Sequence, residues 1–141
     1  MIRNTTNQLV VLYKQQDDMQ KLAKREEQIM QIVWRLEKAF IKEIIEELPE
    51  PRPHYNSVAT MVKILKDKGF LKDEKFGNTY QYSPVIEMED YRNKDVEDIK
   101  QKYFGNSFKK MITHFAKEEK MTDAEIDEII KIIKSEKSSK S

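Results

Sequence analysis

The sequence predicts a mainly α-helical protein with a small β-hairpin: a winged helix-turn-helix followed by a C-terminal helical dimerisation region. Three observations support this fold class. Three amphipathic helical patterns follow one another between residues 24 and 68, and a hairpin pattern comes directly after them. Two more apolar helical patterns lie in the remainder of the chain. Three helices followed by a hairpin is the element order of a winged helix-turn-helix.

The first two predicted helices occupy residues 24–36 and 41–48. In each, apolar side chains recur at i, i+3, i+4 and i+7, which is the spacing of one buried helical face. Pro49, Pro51 and Pro53 follow the second helix. Because proline lacks the N–H group that a helix interior needs and restricts the residue before it, these prolines predict an extended loop.

The third predicted helix covers residues 55–68. Gly69 stands where a left-handed C-terminal cap is favoured, and Phe70 can fold back onto the helix end. The apolar stripe of this helix consists of Val58, Val62 and Leu65.

After the third helix the pattern changes to that of two strands, at residues 71–76 and 79–83, on either side of Gly77-Asn78. A Gly-X pair between β-prone runs predicts a hairpin with a type II′ turn.

Residues 87–141 return to a helical pattern. The stretch from about residue 95 to residue 116 is rich in aromatic and branched side chains, and Gly105 is expected to kink or break it. Thr122 and Glu125 match a capping box ahead of a final helix. The polar residues 135–141 are expected to form a frayed tail.

These patterns divide the chain into three parts. Residues 1–18 are read as a flexible N-terminal extension, or as an upstream start that precedes the functional one. Residues 19–86 form the winged-helix DNA-binding domain, and residues 87–141 form the helical dimerisation region.

The C-terminal region is apolar but too short to build an independent core. It packs either against a second copy of the chain or back onto its own winged helix. The abundance of Phe and Ile favours the homodimer, whose two-fold symmetry matches a palindromic operator. The side chains expected at the dimer contact are Ile99, Tyr103, Phe104, Phe108, Met111, Ile112, Phe115, Ile126, Ile129, Ile130 and Ile133.

The composition excludes several classes of function. The 141-residue chain contains no cysteine, which rules out disulfides and thiolate metal sites. No apolar run reaches the roughly 18 residues of a membrane helix, so a cytoplasmic protein without a membrane partner is expected. His54 and His114 have no metal-ligand spacing around them, and the glycines are isolated. We therefore expect no catalytic residue, no metal and no cofactor.

The third helix and the hairpin carry side chains of the types that recognise double-stranded DNA. Short polar groups near a helix N-terminus can reach base edges, and lysines can neutralise phosphates. The predicted DNA-binding residues are His54, Asn56, Ser57, Thr60, Lys63 and Lys66 in the helix, and Lys72, Lys75 and Asn78 in the hairpin.

Charge alone does not decide between DNA and other partners. Residues 19–86 contain twelve basic and ten acidic side chains, an excess that fits DNA binding and an ordinary solvated surface equally. The hairpin after the third helix favours DNA. The formal net charge of +1 leaves a winged-helix protein–protein interaction module as the alternative.

Three runs of residues carry a family resemblance. They are LAKREEQIMQIVW at 22–34, SVATMVKIL at 57–65 with KGFL at 68–71, and HFAK at 114–117. Over residues 21–134 the chain resembles the penicillinase and methicillin-resistance repressor family (BlaI/MecI/CopY type). The resemblance implies a homodimeric transcriptional repressor with an N-terminal winged helix and a C-terminal dimerisation region.

The resemblance also bears on regulation. In the antibiotic-resistance members, a membrane sensor linked to a protease signals cleavage of the repressor within an Asn-Phe-Ala motif. Carried onto this chain, that bond is His114–Phe115, with His in place of Asn. The copper-responsive members use C-terminal cysteines, which this chain lacks. Ala23 replaces the usual Thr or Ser at the first helix cap, at a cost of about 1 kcal/mol.

Overall fold

The computed structural model of the protein describes residues 21–140. Its elements in chain order are α1 (Lys24–Leu36), β1 (Ala39–Phe40), α2 (Ile41–Glu47), α3 (Tyr55–Asp67), β2 (Leu71–Phe76), β3 (Thr79–Pro84), α4 (Met88–Tyr103), α5 (Phe108–Glu118) and α6 (Asp123–Lys140). Three helices precede the β2–β3 hairpin, which we call the wing, and further helices follow it. The predicted fold class, a mainly α-helical winged helix-turn-helix followed by a helical C-terminal region, is therefore confirmed. The extension expected at residues 1–18 lies outside the described residues.

At the start of α1, Glu26 makes the reciprocal hydrogen bond of a capping box, although Ala23 has no side chain that could cap the helix. Ala23 is the N-cap residue, and its N–H donates to Glu26 Oε1 at 2.9 Å. Glu26 is buried, and Lys68 Nζ donates to its two carboxylate oxygens at 3.1 and 2.9 Å. Burial alone raises the pKa of Glu26, but the hydrogen bonds from Lys68 and Ala23 and the Lys68 charge outweigh it. The pKa of Glu26 therefore lies below its ordinary value.

One hydrophobic core joins α1, α2, α3 and the sheet. Burying one of its large apolar side chains stabilises the fold by about 1.5–3 kcal/mol. Because the buried residues of α3 lie on one face, their burial directs the opposite face of that helix outward. The largest fully buried side chains are Phe70, Ile29, Met30, Ile44, Leu65, Val33, Val58 and Val62.

Tyr91, near the start of α4, belongs to this core. Its ring centroid lies 5.8 Å from that of Phe70 and 5.7 Å from that of Trp34. The Tyr91 hydroxyl oxygen accepts the Leu22 N–H at 2.9 Å, and Trp34 Nε1–H donates to the Ile86 carbonyl at 2.9 Å. These contacts attach the first turn of α4 to α1 and to the end of the wing.

The end of α3 has the glycine cap that the sequence predicts. Gly69 has a φ of 86°, and its N–H donates to the Lys66 carbonyl at 3.0 Å. The Phe70 N–H donates to the Leu65 carbonyl at 2.9 Å, which completes a Schellman motif. Phe70 folds back into the core with 1% of its surface exposed. The cap and this burial together set where α3 ends and where β2 begins.

The strands form an antiparallel sheet in the order β1–β3–β2. The wing is the predicted hairpin, and Gly77 has the φ of 60° that the first central residue of a type II′ turn requires. Strand β1 was not predicted. It places Ala39 opposite Tyr82, so the sheet has one more strand than the hairpin pattern indicates.

The chain divides into two compact units, one ending at Asp95 and the other beginning at Val96. The second unit contains the end of α4, α5 and α6. Gly105, with a φ of 56°, lies between α4 and α5, which confirms the predicted break. Thr122 Oγ1 accepts the Glu125 N–H at 3.1 Å, as expected of the residue that caps α6.

The frayed tail predicted from residue 135 is wrong, because α6 continues to Lys140. The lysines and the glutamate of this stretch are good helix formers, and they extend a helix that is already nucleated. Ser139 Oγ also donates to the Glu136 carbonyl at 2.9 Å, so this polar side chain bonds within the helix.

Candidate nucleic-acid interface

The exposed face of α3 carries most of the predicted DNA-binding residues. Asn56, Thr60 and Lys63 are all exposed. They follow one another at i, i+4 and i+7, a spacing that places them on one side of the helix. That side is opposite the buried stripe, so the core holds these three side chains toward solvent. Ser57 is exposed on the flank of this face.

Two hydrogen bonds limit what this face can do chemically. Thr60 Oγ1 donates to the Asn56 carbonyl at 2.9 Å, so its hydroxyl proton is used within the helix and its oxygen is left as an acceptor. His54 is the N-cap residue, and its carbonyl accepts the Ser57 N–H at 3.0 Å. Its exposed imidazole makes no cap hydrogen bond. The start of α3 therefore presents backbone N–H groups and an imidazole, which suit a phosphate.

Lys66 differs from Lys63, although both are exposed and lie on α3. Lys66 Nζ lies 2.9 Å from Asp73 Oδ2 on β2, in an ion pair between the helix and the wing. The hydrogen bond from Lys66 to Asp73 and the Asp73 charge raise the pKa of Lys66. Among residues 21–140, no acidic side chain pairs with Lys63. Of these two lysines, Lys63 is the one that is available to a phosphate.

The wing separates the two hairpin lysines that the sequence grouped together. Lys75 pairs with Tyr80 across the hairpin, and Asp73 with Tyr82, so these side chains share one face of the sheet. That face includes the carboxylate that contacts α3. Lys72 is three residues from Lys75 and therefore lies on the other face, where it lines a polar depression that also includes glutamates. Asn78 is exposed at the turn.

Three large exposed side chains at this surface were not predicted. Tyr55 at the start of α3 is 51% exposed, Tyr80 on the wing is 42% exposed, and Ile64 on α3 is 40% exposed. The predicted DNA-binding set contains only histidine, lysines and short polar residues. A tyrosine hydroxyl can donate to a phosphate, and an isoleucine can contact a thymine methyl group. The position of Ile64 outside the buried stripe of α3 was the sequence signal that could have identified it as a DNA-contact candidate.

The second unit exposes the apolar residues that were expected at a dimer contact. Of the eleven predicted side chains, Phe104 and Ile126 are half-buried and Met111 is buried within the chain itself. Val96 and Ile132 are also exposed and were not predicted. The other eight are exposed: Ile99, Tyr103, Phe108, Ile112, Phe115, Ile129, Ile130 and Ile133.

The His114–Phe115 bond lies inside helix α5. Both side chains are exposed, and the ring of Phe104 contacts each of them, with centroid separations of 5.4 and 5.8 Å. Because the bond is within a hydrogen-bonded helix, any protease that cuts there requires α5 to unwind locally.

In the part of the chain that the structure describes, no helix is long and apolar enough to cross a membrane. No cluster of His, Asp and Glu side chains within residues 21–140 has the arrangement of a metal site.

Comparison with known proteins identifies relatives along most of the chain. A family model described as penicillinase repressor matches residues 22–135. The methicillin resistance regulatory protein MecI of Mammaliicoccus sciuri is 25% identical over 114 residues, covering 80% of this chain and 93% of the relative. The penicillinase repressor of Staphylococcus aureus is 27% identical over 106 residues, covering 74% and 84% respectively. The solution structure of the DNA-binding domain of the repressor BlaI is 28% identical, covers 50% of this chain and 88% of that one, and has a TM-score of 0.45.

Proposed function

The chain belongs to the penicillinase repressor family and is a DNA-binding transcriptional repressor rather than an enzyme, and we propose that it binds a palindromic operator as a homodimer. The observation that carries this proposal is the outward face of α3, on which Asn56, Thr60 and Lys63 are aligned and exposed. In this reading α3 is the recognition helix, and each half-site of the palindrome takes the α3 of one protomer.

Each side chain on this face suits a different part of the DNA. The Asn56 amide can pair with adenine through two hydrogen bonds, and the Thr60 oxygen can accept from a base amino group. Lys63 neutralises a phosphate, as does Lys75 on the wing. Tyr55 and Tyr80 add hydroxyl donors to the backbone contacts.

The experiment is a fluorescence-anisotropy titration of the protein against DNA from upstream of its own gene, at several salt concentrations. Lys63→Ala is expected to weaken binding and to reduce the slope of log K against log salt by about 0.9 per bound protomer. Lys72→Ala, on the other face of the wing, is the matched control and keeps the wild-type slope. Thr60→Ala weakens binding without changing the slope. If Lys63→Ala and Thr60→Ala both bind with wild-type affinity, this docking is rejected. If the wild-type protein shows no salt-sensitive binding to this DNA, a protein-binding module is favoured.

The homodimer is supported by the apolar surface of the second unit. Ile129, Ile130 and Ile133 are each more than two-fifths exposed on α6, and such a row is costly to leave in water. Ile129→Glu is expected to convert the protein to a monomer in analytical ultracentrifugation. Lys131→Glu changes an exposed residue at a different angle on the same helix and keeps the dimer. A wild-type chain that sediments as a monomer rejects the proposal.

We further propose that the repressor acts in the cytoplasm and is switched off by a sensor-linked protease that cuts between His114 and Phe115. The exposure of both side chains supports this site, and the helix around the bond makes cutting depend on local unwinding. Mass spectrometry of induced cells is expected to show a fragment that ends at His114. Detection of full-length protein only, under conditions that relieve repression, refutes this mode of control.

A further inference from the structure

The recognition helix and the wing are connected by a single ion pair. Lys66 lies in the last turn of α3, and Asp73 is the third residue of β2. Their Nζ and Oδ2 atoms are 2.9 Å apart, and no other ion pair joins α3 to the wing within residues 21–140. The pair therefore bridges the two elements that a winged helix presents to DNA.

The surroundings of Asp73 differ from those of an ordinary surface carboxylate. Its side chain is only 23% exposed, whereas that of Lys66 is 45% exposed. Asp73 lies opposite Tyr82 across the hairpin, and Tyr82 is half-buried against the core. The acidic partner is thus held by the sheet, and the flexible lysine reaches across to it.

We propose that Lys66 and Asp73 form a latch that holds the wing against α3, so that Lys66 is a positioning residue for operator binding and makes no phosphate contact. The inference rests on the proposed function. A wing that is already held in place loses less conformational freedom when DNA binds. The same pairing withholds the Lys66 charge from the DNA, which leaves Lys63 and Lys75 as the phosphate contacts near it.

Salt titrations of operator binding distinguish a latch from a phosphate contact. Lys66→Gln is expected to lower the affinity by about 2- to 5-fold at low salt, because a partly exposed ion pair contributes little. Salt screens this pair, so the slope of log K against log salt falls by much less than the roughly 0.9 per protomer of a lost phosphate contact. Lys63→Gln is the matched control on the same helix. This variant reduces the slope by about 0.9 per bound protomer. Between about 50 and 200 mM salt, its affinity therefore falls by about 3.5-fold less, per protomer, than the affinity of the wild type.

A second variant tests whether Asp73 acts through Lys66. Asp73→Asn is expected to steepen the slope by up to about 0.9 per protomer, because Lys66 is released toward a phosphate. The double variant Lys66→Gln/Asp73→Asn returns to the wild-type slope. If the slope of the double variant is as steep as that of Asp73→Asn, Asp73 acts through its own charge and not through Lys66. That result overturns the latch.

The outcomes also separate failure of the latch from failure of the proposed function. If the wild-type protein does not bind its upstream DNA, operator binding is rejected, and the latch is rejected as well because it rests on operator binding. The latch alone is rejected if the wild type binds normally and Lys66→Gln lowers the slope by about 0.9 per protomer, as the loss of a phosphate contact does. It is also rejected if Lys66→Gln changes neither affinity nor slope.

Discussion

Replacing Lys68 with Met is expected to destabilise the winged helix by about 2 kcal/mol at pH 7. Lys68 donates to both carboxylate oxygens of Glu26, whose side chain is only 9% exposed, and the Lys68 side chain is 29% exposed. Hydrogen bonds to charged groups contribute about 1.5–3 kcal/mol, and removing one partner of a fully buried pair costs about 3–5 kcal/mol. The partial exposure of Lys68 places the expected cost toward the lower of these ranges.

The effect of Lys68→Met depends on pH in a defined direction. The pKa of Glu26 lies below its ordinary value of 4.5 in the folded protein. The stability that this ionised carboxylate contributes is therefore complete above about pH 4.5 and is lost as the pH falls through the folded pKa. Without Lys68, burial raises the pKa of Glu26, so the carboxyl becomes neutral at low pH and the penalty of the variant disappears. The difference between wild type and Lys68→Met is thus largest at neutral pH and shrinks toward pH 4.

Urea unfolding followed by the fluorescence of Trp34 measures this difference. Trp34 is the single tryptophan of the chain and packs against the Tyr91 ring, so it reports on the first unit. A loss of about 2 kcal/mol lowers the urea midpoint by about 1 M for a slope near 2 kcal/mol/M. Glu47→Gln breaks the exposed ion pair with Arg35 and is the control, with an expected loss below about 1 kcal/mol. All variants are compared at one protein concentration, because the proposed dimerisation makes stability depend on concentration. Equal midpoints at pH 7, or a difference that does not shrink as the pH falls below 4.5, refute the reasoning.

Three other substitutions test separate parts of the structure. Tyr91→Phe removes the acceptor of the Leu22 N–H and is expected to lower the free energy of unfolding in urea by about 1 kcal/mol. An unchanged midpoint shows instead that water satisfies the Leu22 N–H equally well. Gly77→Ala is expected to cost about 1 kcal/mol of stability and to lower the Tm by about 4–8 °C. Because no atom lies within 4 Å of the added Cβ, the cost comes from backbone strain at a φ of 60° and not from a steric clash. An unchanged Tm contradicts the type II′ turn. Ile64→Ala leaves the Tm unchanged, because Ile64 is exposed, but weakens operator binding without altering its salt slope; wild-type affinity excludes Ile64 from the interface.

The elements that the sequence predicted well are those whose causes are local. The first helix was expected at residues 24–36 and is found at Lys24–Leu36, because its period and its ends are encoded within a few residues. Gly69 and Gly77 ended the third helix and formed the turn of the wing as expected, because each position needs a positive φ. The exposure of Asn56, Thr60 and Lys63 followed from the same helical period.

What the sequence could not predict depends on residues far apart in the chain. Strand β1 has two residues and no detectable period, and its partner Tyr82 lies more than 40 positions later. Glu26 lies 42 positions from Lys68, and only the fold shows that it is buried against that lysine. Lys66 looked like a free cation until the register of β2 placed Asp73 beside it. The separation of Lys72 from Lys75 is different, because the alternation of a strand could have revealed it.

The arrangement of charge explains how a nearly neutral chain can act on DNA. The formal net charge is +1, so the protein has little long-range attraction for nucleic acid. Two lysines at the C-terminal end of α3 are paired with carboxylates, Lys66 with Asp73 and the cap residue Lys68 with Glu26. If Lys63 and Lys75 alone neutralise phosphates, the salt slope is about −1.8 per protomer, which is shallow for a repressor. Because non-specific binding depends almost entirely on this electrostatic contribution, the proposed docking assigns selectivity for the operator to the uncharged groups of α3, namely Asn56, Thr60 and Ile64.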